Sequence, residues 1–181
     1  MSILVALRRS LVGGEAPLKG VREDTQARIR AHQLATINQI SKPALATNIV
    51  NAALVAGYFF YFSVPTLAIM VWAMTVVTFA GIGIYDVMRR SRRPRPDRAS
   101  ENGLKKAATN AAVLGVLWGV LPIISYGTTS IASDVLVTAV MAGMIGGGAL
   151  ALHPIPQAMR NYVIMMCAGS CIGLLKAGSD G

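Results

Sequence analysis

Residues 86–106 read DVMRRSRRPRPDRASENGLKK. The stretch holds eight Lys and Arg residues against three acids, Asp86, Asp97 and Glu101. Pro94 and Pro96 lack backbone donors and clash with the preceding turn, so a regular helix does not cross its middle. Arginines this dense enter hydrocarbon only at high cost, so the stretch stays in water. Long apolar segments without a central charge flank it on both sides. A basic loop between apolar hairpins fits a membrane protein, and the positive-inside rule places such a loop in the cytoplasm.

The composition agrees. Of 181 residues, 54% are hydrophobic and 14% charged, where soluble domains carry about 25% charged residues. The net charge of +9 is confined to two segments. Residues 1–43 hold seven basic and three acidic groups, and the loop holds eight and three. The remainder balances, Arg160 and Lys176 against Asp134 and Asp180. Charge placed this way follows topology rather than a nucleic-acid face, so no nucleic-acid partner is expected. Cys167 and Cys171 both fall inside an apolar block and imply no disulfide framework. Met1 to Leu7 is too short for the core of a signal peptide, and Arg8-Arg9 follows it instead of preceding it.

Taken in order, residues 1–20 read as an irregular cytoplasmic tail, punctuated by Gly13, Gly14, Pro17 and Gly20. Residues 21–42 read as a weakly amphipathic helix on the cytoplasmic surface, with Ile29, Leu34, Ile37 and Ile40 on one arc. Pro43 suits the first turn of a new helix. The expected fold is an all-α transmembrane bundle of about five spans, near 43–62, 66–85, 107–127, 131–152 and 160–177, with a cytoplasmic loop at 86–106. Tyr58, Tyr61 and Tyr85 fit lipid–water boundaries. The turns at Ser63-Val64-Pro65 and Gly127-Thr128-Thr129-Ser130 contain no Lys or Arg, as external turns should. Five spans from a cytoplasmic N-terminus leave the C-terminus outside, and a sixth would return the chain.

No catalytic motif is legible: there is no HExxH, no P-loop and no GxGxxG between a strand and a helix. Neither an enzymatic site nor a cofactor is therefore expected. Asn48 and Asn51 share a face of the first span, and Asn110 lies near the inner end of the third. These amides either join helices or line a polar ligand pocket. Trp118, in mid-span, either packs in the core or forms a ligand platform. Asp134 is either a solvated boundary residue or a ligand or proton site, since acids inside spans are costly. Gly143, Gly146, Gly147 and Gly148 are expected to let helices approach closely, with Gly143 and Gly147 on the packing face and Gly148 turned away. Cys167 and Cys171, beside Met165 and Met166, are soft ligands, but they also pack well in apolar helices, and no metal site is assigned.

Four stretches carry a likeness. RIRAHQLATINQISKPALATNIVNAALVA (28–56), VLWGVLP (116–122), GMIGGGALAL (143–152) and HPIPQAMRNY (153–162) occur in that order. The pattern resembles the N-terminal membrane sensor modules of bacterial GGDEF and EAL signalling proteins. That resemblance implies an inner-membrane sensor or anchor, a homo-oligomer in the lipid bilayer, and a cytoplasmic output domain that makes or degrades cyclic di-GMP. The sequence departs from the pattern in having no GGDEF, no EAL and no sixth span. No catalytic residue carries over. The other class in view is a small transporter or channel subunit, suggested by the same asparagines, Asp134 and the glycine-rich fourth span.

Overall fold

A computed structural model describes residues 23–62, 67–91, 101–127 and 130–179. They form five helices, and no strand occurs among the described residues. The helices are α1 (Glu23–Tyr61), α2 (Leu67–Ser91), α3 (Glu101–Ser125), α4 (Ile131–Leu152) and α5 (Pro156–Ser179). Each contains an apolar segment long enough to cross a membrane. A helix satisfies its backbone groups internally, as hydrocarbon demands. The outward surface is apolar as well: Leu54, Phe60, Leu67, Val71, Ile131 and Leu150 are all exposed. In water such a surface would aggregate; lipid solvates it. The chain is a polytopic helical membrane protein.

α3 is the centre and touches all four other helices. Its closest neighbour is α5, and glycines explain why. A Cβ placed on Gly169 would run into the backbone of Gly119. One on Gly115 would lie 2.7 Å from the Tyr162 carbonyl oxygen, and one on Gly173 would lie 2.7 Å from that of Pro122. Gly115 and Gly119 are four apart on α3, and Gly169 and Gly173 four apart on α5, so each pair makes one bare strip. Two such strips let the backbones meet, and dispersion over that contact holds the pair. Trp118, Leu121 and Met166 fill the buried space beside the seam. At the end of α3, Gly127 has φ +72, the left-handed conformation that glycine reaches without strain.

Several expectations need correcting. α1 does not break at Pro43 but runs through it as one helix of 39 residues. The separate surface helix is therefore not an element, and its amphipathic character gains no support: Ile37 is buried, but Ile29 is exposed. Pro43 cannot donate to the Gln39 carbonyl, so one helical bond is missing while the turns on either side continue. Ser41 Oγ donates to the Ile37 carbonyl at 2.6 Å, and Thr47 Oγ1 to that of Pro43 at 3.0 Å. The basic loop is shorter than 86–106, because α2 continues to Ser91 and α3 begins at Glu101. α5 starts at Pro156 rather than near Arg160, since proline suits the first turn of a helix. The fourth span matches its expected bounds. The tail at 1–20, the turn at 63–66, residues 92–100 and Thr128-Thr129 lie outside the described residues.

Candidate functional site: a cleft lined by asparagines

A cleft of about 610 Å³ opens in the half of the bundle next to the basic loop. Its walls come from all five helices, α5 contributing Tyr162. Asn48 and Asn51 stand on α1, Asn110 on α3, and Gly143, Gly147 and Gly148 on α4. Most of the remaining wall is apolar, including Ile37, Leu45, Phe79 and Leu114. The only charged residues among the described lining are Asp86 and Lys106, whose side chains lie 3.8 Å apart and are partly exposed.

The asparagines occupy different environments. Asn48 is buried, and its Oδ1 accepts the indole N–H of Trp118 at 2.6 Å. Its Nδ2 donates to the Ala44 carbonyl at 2.7 Å. Trp118 in turn meets Trp72 edge to face, with ring centroids 5.2 Å apart. The Trp72 indole N–H donates to the Leu117 carbonyl at 2.6 Å. Both indoles thus satisfy their donors in the core, and Asn48 joins α1 to α3. Asn51 Nδ2 donates to the thioether of Met144 at 3.0 Å, a weak acceptor. Asn110 is exposed to the cleft and has no hydrogen-bond partner among the described residues. The two readings of these amides therefore divide. Asn48 is interhelical, Asn110 faces the cleft, and Asn51 does some of each.

Trp118 packs in the core behind the cleft rather than lining it. Asp134 lies far from it, in the first turn of α4, where Ser130 caps the helix through the Ser133 N–H at 3.3 Å. Asp134 Oδ1 is buried without a hydrogen-bond partner among the described residues, beside the positive end of the helix dipole. Cys167 and Cys171 are both exposed on α5, away from the cleft.

The glycine expectation is reversed. A Cβ on Gly143, Gly146 or Gly147 would meet nothing within 4 Å. Gly143 and Gly147 give the cleft its width instead of a packing seam. Gly148 carries the close contact, since a Cβ there would overlap the ring of Tyr162. That ring is held by its hydroxyl, which donates to the Met144 carbonyl at 3.1 Å. Tyr162, Asp86 and Lys106 escaped the sequence reading as site residues. A tyrosine in an apolar run needs a hydroxyl partner, which was the available signal. The GxxxG spacing at 115–119 and 169–173 was likewise available.

The fold and the cleft define a class: among the described residues, a five-helix membrane bundle with a mostly apolar recess in one half that carries a few asparagines. Comparison with protein-family models, with curated proteins and with solved structures returns no match.

Proposed function

We propose that the chain is a sensor or anchoring module of the bacterial inner membrane, with its N-terminus in the cytoplasm. In this reading it belongs to a cyclic di-GMP signalling protein and drives a cytoplasmic output domain. The observation that carries the sensing role is the continuity of α1. The helix lines the cleft with Asn48 and Asn51, and 23 of its 39 residues, Gln39–Tyr61, form the apolar segment. The 16 residues ahead of that segment extend the same rod by about 24 Å at 1.5 Å per residue. A ligand that favours one position of α1 in the cleft shifts the rod as a whole, because a helix transmits displacement along its axis. The likeness of residues 28–56 to the entry segment of GGDEF and EAL sensors supports the output assignment.

Two spin labels test the coupling, at His32 on the extension and Thr109 on α3, with Cys167 and Cys171 replaced by alanine. Gly147→Phe puts a ring into the cleft from a position where an added Cβ meets nothing within 4 Å. It should shift the inter-label distance in lipid nanodiscs, and an unchanged distance would overturn the sensor reading. The reading frame beyond Gly181 tests the output assignment. A sixth span and a GGDEF or EAL domain are expected, and a stop codon directly after Gly181 rejects them.

One observation favours a second reading. Asn110, which faces the recess, and Asn51, which partly does, also suit a transporter or channel subunit. Solute flux in proteoliposomes would establish that role, and its absence would remove it.

A further inference from the structure

Among its described lining, the cleft offers hydrogen-bonding groups and, as charged residues, Asp86 and Lys106, which face each other at 3.8 Å. We infer that it binds an uncharged single-chain lipid whose head carries hydroxyl or ester groups, drawn from the bilayer. The inference rests on the cleft being the signal-receiving site. Three observations support it. The wall is mostly apolar and lies within helices that span the membrane, so a hydrocarbon chain is at home there. The charged groups on the lining, Asp86 and Lys106, pair with one another. A charged head carried past that exposed pair into the apolar recess would go unpaired there, which is costly. The inner polar groups are carboxamides. Asn110 has both its donors and its acceptor uncommitted among the described residues, and Asn51 spends a donor on a thioether. A carboxamide both donates and accepts, so it matches a head with hydroxyl hydrogens and ester oxygens. The space of about 610 Å³ suits one chain with a small head. Gly143 and Gly147 keep that space open, since any side chain there would project into it.

The bundle carries its own reporter. The chain has two tryptophans. They touch each other, and Trp118 is hydrogen-bonded to Asn48 on the cleft wall. The experiment titrates the protein in phosphatidylcholine nanodiscs with monodecanoylglycerol, decanoate and decyltrimethylammonium, and follows tryptophan fluorescence. The three probes share a chain length and differ in head charge. Monodecanoylglycerol should give a saturable change, and the two ions only the linear drift of partitioning. Asn110→Leu removes hydrogen bonds to the ligand and none to the described residues of the protein, so the Kd should rise about tenfold with the fold intact. Gly147→Phe should abolish the saturable change. Equal saturable binding of decanoate, or an unchanged Kd in Asn110→Leu, would overturn the inference. The distance measurement separates the two readings. If Gly147→Phe shifts α1 but monodecanoylglycerol does not bind, the sensor reading stands and the ligand class falls. If monodecanoylglycerol binds and α1 does not move, the ligand class stands and the sensor reading falls.

Discussion

The hydrogen bond from Trp118 to Asn48 is the polar contact on which the middle of the bundle turns. Both residues are buried, at 0% and 5% exposure, so neither lost partner can be replaced by water. Trp118→Phe leaves the Asn48 oxygen unpaired, and a buried acceptor in that state costs about 1–3 kcal/mol. A drop in melting temperature is expected in detergent. Asn48→Leu should cost a similar amount, because the indole donor is then stranded. The double variant should cost less than the sum of the two, with a coupling of about 1 kcal/mol, since the second change removes the group that the first left unpaired. Strict additivity in the melting data would show that the contact contributes nothing. At Gly148 and Gly147 the same chemical change gives opposite outcomes. Leucine at 148 collides with the Tyr162 ring, which its bond to the Met144 carbonyl holds in place. Leucine at 147 meets open space. Both variants gain about 1 kcal/mol of helix propensity over glycine. Gly148→Leu should therefore melt lower than the parent, and Gly147→Leu at or above it. The reverse order would place the α4–α5 contact on the other glycine.

Helices α3 and α5 act as one element through their glycine strips. Gly169→Leu forces the backbones apart at Gly119 and forfeits dispersion contacts that lipid replaces only in part. Ala168→Leu, one position away on an exposed face, leaves the seam untouched. The first variant should lose the folded bundle in detergent at temperatures where the second keeps it, and equal melting would remove the seam from the account. The spans themselves were legible in the sequence, because each is a long apolar block and hydrocarbon allows little but a helix there. Their ends were less so. Pro43 looks like a helix start, yet a proline inside a long helix is tolerated when the neighbouring turns hold, and no local pattern separates the two cases. Ser91 and Glu101 extend their helices past the apolar blocks for the same reason. Hydropathy marks where lipid ends, not where helical hydrogen bonding ends. At the site, the asparagines were visible as polar residues in apolar runs. Which of them faces a partner helix and which faces a recess depends on the rotation of each helix. That rotation is set by packing between α1 and α3, residues distant in sequence. The same dependence turned the glycines of α4 around. Their spacing gave a shared face, but nothing local said whether the face meets a helix or a cleft.

At the scale of the whole molecule, the arrangement across the membrane follows from charge. We propose the basic loop in the cytoplasm, and both short turns, which lack Lys and Arg, outside. Alkaline phosphatase is active only after export, so a fusion after Ser63 or Thr129 should be active and one after Arg95 silent. The cause can be tested as well as the outcome. Replacing Arg89, Arg90, Arg92, Arg93, Arg95 and Arg98 together by glutamine removes six of the loop's eight basic groups and leaves Lys105 and Lys106. The three acids of the loop then outnumber its bases, although acids contribute little to orientation. What still holds the parent topology is the N-terminal segment, with its seven basic groups against three acids. The first hairpin should keep its orientation, because that segment precedes it. The loop that follows has lost most of its barrier to export, so α3 should insert in both directions. The Arg95 fusion, rebuilt at the substituted position, should become partly active, while the Ser63 fusion stays fully active. If the Arg95 fusion stayed silent, the N-terminal charges alone would set the topology. The loop would then need another role, and the density of arginine in its sequence would be read as a contact for anionic headgroups.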